Sequence, residues 1–185
     1  MIKVLNLYAG IGGNRKLWEN VEVTAVENNP EIAKIYQDFF PDDKVIVADA
    51  HKYLLEHYKE FDFIWSSPPC SSHSRARYWG WSKKKPIYPD MRLYQETIFL
   101  KYHCKTKWIV ENVISYYSPL IEARKLGRHY FWSNFNIEDK KFVCKDIRQL
   151  SGTSKKDKML RNMVNPKLGL HIFNCAFKEQ QQTLE

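Results

Sequence analysis

The chain has 185 residues, a formal net charge of +8 and 44% hydrophobic residues, a composition typical of a globular domain rather than a disordered segment. No apolar run approaches the roughly 20 residues that a membrane-spanning helix needs. The 4 cysteines lie far apart, which argues against a zinc site and against a disulfide scaffold. Because Lys and Arg are in excess, the composition favours a nucleic-acid partner. We therefore expect a cytoplasmic protein of one domain, without a metal or a membrane partner.

The N-terminal third of the chain alternates apolar runs with helical patterns. Gly10, Gly12 and Gly13 follow the first apolar run, and glycines at a strand end allow a ligand to approach the backbone. Glu27 ends the second run, where dinucleotide-binding folds place a carboxylate on ribose hydroxyls. A ligand-free turn and a solvated carboxylate are the alternatives. We predict strands at about 4–8, 21–26 and 44–48 and helices at about 14–20, 29–40 and 51–58.

The apolar run 61–65 predicts a fourth strand, and a proline-rich loop follows it. Its sequence is Ser67-Pro68-Pro69-Cys70. Two consecutive prolines fix the backbone torsions and are excluded from strand and helix interiors, so the loop is expected to be rigid and to present the thiol at a strand end. The alternative is a proline turn with an incidental buried cysteine.

Basic and aromatic residues interleave in the long segment 71–90. This combination suits contacts to phosphates together with stacking on bases. The alternative is a solvated basic loop whose tryptophans pack back on the domain. The predicted nucleic-acid contacts are Ser71, Arg75, Arg77, Trp79, Trp81, Lys83, Lys84 and Lys85.

The remaining elements continue the alternation. Asp90 is the expected cap of a helix over 90–100, and the strand 107–110 leads to Glu111-Asn112-Val113. Beyond these we predict a helix near 120–126, an aromatic strand at 127–135, a polar and basic segment at about 136–161 and a last helix from about Pro166. Alternating strands and helices predict an α/β fold with a doubly wound, mostly parallel sheet that binds ligands at the carboxyl ends of its strands.

Three motifs stand in order at predicted strand ends: the glycine loop, Pro-Pro-Cys and Glu-Asn-Val. Together they resemble the cytosine-5 DNA methyltransferase family, and the turn at Asn165 is similar to that family's last motif. The resemblance implies the Rossmann-like fold of S-adenosylmethionine-dependent methyltransferases. It also implies a single catalytic domain over 1–185, in which a short basic insert at about 136–161 replaces a full target-recognition region.

The resemblance implies transfer of a methyl group from S-adenosylmethionine to carbon 5 of a flipped-out cytosine in DNA, leaving S-adenosylhomocysteine. Cys70 would be the nucleophile, Glu111 would act at ring nitrogen 3, and Arg128 with the loop amides would lower the pKa of the thiol. The residues that would hold the cofactor are Tyr8, Ala9, Gly10, Ile11, Gly12, Gly13, Glu27, Asn28, Asp49, Ala50, Pro69, Leu93 and Asn165.

Several residues depart from the family's pattern. Asn6 and Tyr8 stand where the family usually has Asp and Phe, Ser71 replaces a Gln, and Tyr130 stands where a second arginine is usual. The reduced recognition region leaves other interpretations open. One is a cytosine-5 methyltransferase for RNA, such as a tRNA. Another is a catalytically weak cofactor-binding module that docks on nucleic acid, or on a protein partner or second copy that completes target recognition. The leading interpretation is a DNA modification enzyme of the restriction-modification kind.

Overall fold

The computed structural model describes residues 1–79, 85–140 and 163–178. The described strands are β1 Ile2–Leu7, β2 Val21–Glu27, β3 Lys44–Val47, β4 Phe63–Ser66, β5 Lys107–Val113, β6 Arg124–Leu126 and β7 His129–Ser133. The described helices are α1 Pro30–Phe39, α2 Ala50–His57, α3 Arg75–Trp79, α4 Arg92–His103 and α5 Pro166–Phe177, with a 3-10 turn at Tyr58–Glu60. Within these residues, no helix is long and apolar enough to cross a membrane.

The strands form one seven-stranded sheet in the order β3-β2-β1-β4-β5-β7-β6. Strands β1 to β5 run parallel, and β7 is antiparallel to both β5 and β6. This arrangement confirms the predicted doubly wound, mostly parallel sheet. The sheet register aligns Leu7 with Ser66 and Ser66 with Val110, so β1, β4 and β5 reach their carboxyl ends at the same edge.

Helices cover both faces of the sheet. On one face, α5 packs Ile172 and Phe173 against Phe63 and Trp65 of the central strand. On the other face, α2 and α4 contribute apolar side chains, among them Leu54, to a separate hydrophobic core. Helices α1 and α5 begin close to the predicted positions: Asn29 accepts hydrogen bonds from Glu31 N and Ile32 N, Asn165 accepts one from Lys167 N, and a proline follows each asparagine.

The predicted helix at 14–20 is wrong. This segment forms isolated turns, in which Arg15 N donates to Gly12 O and Trp18 N donates to Arg15 O. Trp18 is buried and stacks on Phe173 of α5, with ring centroids 5.2 Å apart. Gly169 of α5 lies directly against the backbone of Asn14, so a side chain there would collide with it. Helix α5 therefore occupies the layer that the predicted helix would have filled.

The predicted helix near 120–126 is also wrong, because Arg124–Leu126 is strand β6. Leu126 pairs with His129, so Gly127 and Arg128 form a two-residue hairpin turn. Gly127 has a φ of +59°, which suits the first central position of a type II′ turn.

Three further boundaries differ from the prediction. The Glu111-Asn112-Val113 motif lies inside β5 rather than after it, since Glu111 pairs with Phe131 of β7. Helix α4 has Met91 at its N-cap, one residue after Asp90, whose carboxylate still accepts a hydrogen bond from Arg92 N. The segment 71–90 contains the short helix α3. Most of the basic segment 136–161 lies outside the described residues.

Candidate active site

The three sequence motifs meet where β1 and β4 end beside Val110 of β5, which continues for three more residues. Leu7, Ser66 and Val110 lie side by side in the sheet register. The next residues along the three strands therefore begin the glycine loop, begin the Pro-Pro-Cys loop and supply Glu111. Ligands of open parallel sheets bind at this edge. The structure thus brings the predicted cofactor loop, nucleophile and carboxylate to one place.

Within the glycine loop, two glycines are required by packing and one faces open space. A Cβ on Gly12 would collide with the Phe40 ring, and one on Gly13 would collide with Met163. Gly10 has a φ of +56°, and a Cβ there would have only the Tyr8 carbonyl oxygen near it, at 4.0 Å. Gly10 is therefore the position where a ligand can approach the backbone.

Two carboxylates border the glycine loop and retain free acceptor capacity. Glu27 is buried, and its two oxygens accept hydrogen bonds from Gly10 N (3.1 Å) and Asn29 N (3.0 Å). One oxygen of Asp49 caps α2 by accepting from His51 N and Lys52 N. A carboxylate has about four acceptor positions. Both groups can therefore accept further hydrogen bonds from the hydroxyl or amino groups of a nucleoside.

A buried carboxylate that the sequence analysis missed lies beside these residues. Glu96 of α4 is 1% exposed and accepts hydrogen bonds from Tyr8 Oη (2.5 Å), Ser66 Oγ (2.5 Å) and His51 Nδ1 (2.9 Å). The hydrogen bond to Glu96 raises the pKa of His51, and burial together with Glu96 raises the pKa of Tyr8. The signal available in the sequence is its spacing from Leu93 and Leu100, which puts Glu96 on the buried face of α4.

The remaining residues predicted to hold the cofactor differ in burial. Ala9, Ala50 and Leu93 are buried. Leu93 packs in the apolar core under α4. Asn28 and Pro69 are exposed, and Ile11 is partly exposed. Asn165 uses its side-chain oxygen to cap α5, at 2.9 Å from Lys167 N.

The Pro-Pro-Cys loop is fixed to β5 through a residue whose role the sequence analysis did not assign. Asn112 Nδ2 donates to Pro68 O over 2.9 Å, and both groups are buried. After the cysteine, His73 N and Ser74 N both donate to Cys70 O over 3.0 Å. These bonds hold the backbone on both sides of the thiol.

His73 ties the far end of the same loop to two other segments. Its ring is fully buried, with Nε2 3.1 Å from the carbonyl oxygen of Asp90 and Nδ1 2.5 Å from Tyr117 Oη. Because a carbonyl only accepts, Nε2 carries the proton and Nδ1 accepts from Tyr117. Burial lowers the pKa of His73, which keeps the ring in this neutral form.

The thiol of Cys70 is partly buried near a carboxylate. Burial, and next the negative charge of Glu111, raise the pKa of Cys70. Among the described residues Arg128 does not contribute to this shift, while a backbone hydrogen bond lowers the pKa of Cys70 by less than burial and Glu111 raise it. Arg128 is exposed in the β6–β7 turn.

His129, not Arg128, lies beside Glu111. The register of β5 and β7 pairs Val113 with His129, on the same face as Glu111. His129 Nε2 is 3.8 Å from Glu111 Oε1, too long for a hydrogen bond, and the buried Nδ1 atom has no hydrogen-bond partner among the described residues. The residue beside Glu111 is therefore His129, one position along the chain from the predicted Arg128.

The predicted nucleic-acid residues lie mostly on the surface. Trp79 is 81% exposed, which contradicts the alternative that this tryptophan packs back on the domain. Ser71, Arg75 and Lys85 are exposed, and Arg77 donates to the carbonyl oxygen of Lys85. The predictions for Trp81, Lys83 and Lys84 lie outside the described residues.

The mostly parallel seven-stranded sheet, with the glycine loop at its carboxyl edge, defines a Rossmann-like α/β domain of the kind found in S-adenosylmethionine-dependent methyltransferases. The family model for the C-5 cytosine-specific DNA methylase matches residues 2–117, more than half of the 185-residue chain. The chain therefore belongs to the C-5 cytosine-specific DNA methylase family.

Solved structures of similar proteins include a mutant of DNMT2 from Spodoptera frugiperda, at 26% identity and a TM-score of 0.44, over 61% of this chain and 36% of that one. A SAM-dependent methyltransferase from Agrobacterium tumefaciens matches at 15% identity and a TM-score of 0.42, over 63% of this chain and 40% of that one. The protein PH0226 from Pyrococcus horikoshii matches at 22% identity and a TM-score of 0.43, over 60% and 49%. The chain thus spans about a third of the DNMT2 length. No curated protein matches it.

Proposed function

We propose that this protein transfers a methyl group from S-adenosylmethionine to carbon 5 of cytosine in DNA through a covalent adduct with Cys70. The observation that carries the proposal is the alignment of Leu7, Ser66 and Val110 across three parallel strands. This alignment places the glycine loop, the Pro-Pro-Cys loop and Glu111 at one edge of the sheet. The match to the C-5 cytosine-specific DNA methylase family supports the same reaction.

The residues around the glycine loop fit this cofactor. Glu27 and Asp49 are carboxylates with acceptor positions left for the ribose hydroxyls and the adenine amino group. The space beside Gly10 allows contact with the backbone. When bound, the cofactor supplies a methyl group activated by its positive sulfur.

Carbon 5 of cytosine is a poor nucleophile, and Cys70 would activate it by adding to the neighbouring ring carbon 6. The thiolate sulfur bonds to ring carbon 6, and the electron pair of the 5,6 double bond moves toward carbon 5 and the ring. Glu111, once it has taken up a proton, donates that proton in a hydrogen bond to ring nitrogen 3 and so stabilises the added electron density. Once carbon 5 is methylated, it loses its proton to a base, the sulfur–carbon bond breaks, and Cys70 is released.

The raised pKa of Cys70 means that the thiol is mostly protonated in the free protein. When a cytosine binds with nitrogen 3 at Glu111, one proton taken up from solvent is shared between that nitrogen and the carboxylate, which weakens the negative charge that opposes the thiolate, and the thiol releases its own proton to solvent. We infer that the nucleophile becomes active only with the base in place.

The substrate side of the proposal rests on charge and exposure. A cytosine inside a duplex cannot reach a thiol in a crevice, so the base must leave the stack. Exposed Arg75, Lys85 and Trp79 lie on the segment that follows Cys70, where cations can contact phosphates and an indole can stack on a base.

The experiment is incubation with tritiated S-adenosylmethionine and duplex DNA, single-stranded DNA or tRNA, followed by mapping of the modified base. We expect label on carbon 5 of cytosine in DNA. Cys70→Ser should abolish the label, and Cys175→Ser, a partly buried thiol on α5, should retain it. Label confined to tRNA would move the substrate to RNA, and cofactor binding without transfer to any of these substrates would favour a binding module.

A further inference from the structure

Glu96 is the centre of a buried hydrogen-bond cluster that the proposed reaction does not use. We call Tyr8, His51, Ser66 and Glu96 the Glu96 cluster. One carboxylate oxygen accepts from both Tyr8 Oη and His51 Nδ1, and the other accepts from Ser66 Oγ. Three donors satisfy an ionised carboxylate that is otherwise costly to bury. The cluster therefore holds a negative charge inside the domain.

The donors of this cluster come from the segments that surround the proposed cofactor pocket. Tyr8 begins the glycine loop and has a φ of +54°, a conformation that a non-glycine residue keeps only when its surroundings hold it. His51 comes two residues after Asp49, and Ser66 is the last residue of β4 before the Cys70 loop. Glu96 thus lies below the carboxyl ends of β1 and β4. These strand ends separate the carboxylates of Glu27 and Asp49, proposed to bind the nucleoside, from the thiol of Cys70.

The net charge of the cluster depends on one residue that solvent reaches. The His51 side chain is 25% exposed, whereas that of Glu96 is fully buried. The other charged groups that act on His51 are Asp49 and Arg92, and Asp90 pairs with Arg92 over 2.6 Å. With His51 protonated the His51–Glu96 pair is neutral, and with His51 neutral the pair carries one negative charge.

We propose that the Glu96 cluster favours the positively charged cofactor over its neutral product, and that His51 controls the strength of this preference. S-adenosylmethionine carries one more positive charge than S-adenosylhomocysteine, because its sulfur is a sulfonium. Deprotonation of His51 exposes the charge of Glu96 to that sulfonium, so product release is favoured relative to cofactor binding as pH rises. The inference rests on the proposed cofactor.

The test compares the dissociation constants of S-adenosylmethionine and S-adenosylhomocysteine by calorimetry between about pH 5.5 and pH 8. In the wild type, the preference for the charged ligand should increase about three- to tenfold across this range, as expected for a unit charge removed at moderate distance in a partly buried site. His51→Gln keeps a donor to Glu96 but has no proton to lose, so its preference should be high and change less with pH. The amino groups of the ligands titrate equally in both proteins and cancel in the comparison.

Two more variants separate charge from structure. His57→Gln removes another imidazole, one that lies at the C-terminal end of α2 and contacts Glu60 instead of Glu96, so its preference should keep the wild-type pH dependence. Glu96→Gln should lower the preference at every pH; if that variant does not fold, the comparison between wild type and His51→Gln still decides. Equal pH dependence in the wild type and His51→Gln would overturn the inference while leaving the proposed function intact. Failure of both ligands to bind would overturn the cofactor assignment itself.

Discussion

The two sides of the candidate site differ in how their buried polar groups are satisfied. On the cofactor side, Glu27 accepts from two backbone amides and Glu96 from three side chains. On the nucleophile side, Glu111 accepts no hydrogen bond from the described residues, and His129 Nδ1 is buried without a partner. Buried polar groups left unpaired cost free energy. Among the described residues, the two buried carboxylates of the cofactor side are thus held by several donors, whereas Glu111 on the nucleophile side has none.

The largest expected effect is at the nucleophile. Cys70→Ser should lower methyl transfer by on the order of 10³-fold or more, because the weaker nucleophile does not form the adduct. Cofactor affinity should stay close to the wild-type value, since the thiol lies on the other side. Turnover assays and calorimetry on one preparation check both statements. Near-normal turnover would remove the covalent mechanism.

The next effect concerns the bond that positions the Pro-Pro-Cys loop. Asn112→Ala leaves the buried carbonyl of Pro68 without its donor. We expect kcat to fall about 10- to 100-fold, because small displacements of a reacting group have effects of this size. The matched control is exposed Asn136→Ala. A lowered melting temperature with unchanged kcat would show that Asn112 supports stability only.

On the cofactor side, Glu27→Ala should weaken S-adenosylmethionine binding by about 1–3 kcal/mol, because a hydrogen-bonding carboxylate is removed. Exposed Glu22 lies on the same strand and provides the control variant Glu22→Ala. Asp49→Ala should have an effect of the same kind. Calorimetry that finds unchanged affinity in both Glu27→Ala and Asp49→Ala would place the pocket elsewhere.

The effect of changes in the exposed loop should fall on DNA binding and leave cofactor binding unchanged. Joint replacement of Arg75 and Lys85 by Ala should weaken DNA binding in all sequences and lower the slope of affinity against salt by about one unit per lost phosphate contact. Trp79→Ala should instead cost about 1–3 kcal/mol of stacking without changing the slope. Lys34→Ala on α1 is the control. Unchanged affinity in both loop variants would assign binding to another surface.

The smallest effect is on stability, where two histidines should act with opposite sign. The pKa of His73 is lowered and that of His51 is raised relative to 6.5. Below about pH 6.5 only the unfolded chain protonates His73, so His73 lowers the free energy of unfolding as pH falls. The contribution of His51 is present below pH 6.5 and disappears as pH rises through its folded pKa. We would measure the free energy of unfolding against pH by denaturant titration. His73→Gln should reduce its fall below pH 6.5, and His51→Gln should reduce its fall above pH 6.5.

The features predictable from sequence are those that local signals determine. The apolar runs of β1, β2 and β4, the glycine loop and the Asn-Pro starts of α1 and α5 need only neighbouring residues to be recognised. The hairpin turn at Gly127 also had a local signal, but the helical interpretation of the preceding residues obscured it.

The features not predictable depend on residues far apart in the chain. Trp18 meets α5 across about 150 residues, and that contact decides the conformation of residues 14–20. The partners of Glu96 lie 88, 45 and 30 residues away. His129 replaces Arg128 beside Glu111 only because strand pairing fixes the register of β7.

The central claim is that Cys70 forms a covalent bond to a cytosine bound in this site. The most direct test is trapping with DNA that contains 5-fluorocytosine. Fluorine cannot leave carbon 5 as a proton does, so the adduct should accumulate. With S-adenosylmethionine present, the expected result is a denaturation-resistant complex whose cross-linked peptide contains Cys70, absent in Cys70→Ser and retained in Cys175→Ser. A complex that persists in Cys70→Ser, or no complex under conditions where methyl transfer occurs, would contradict the claim.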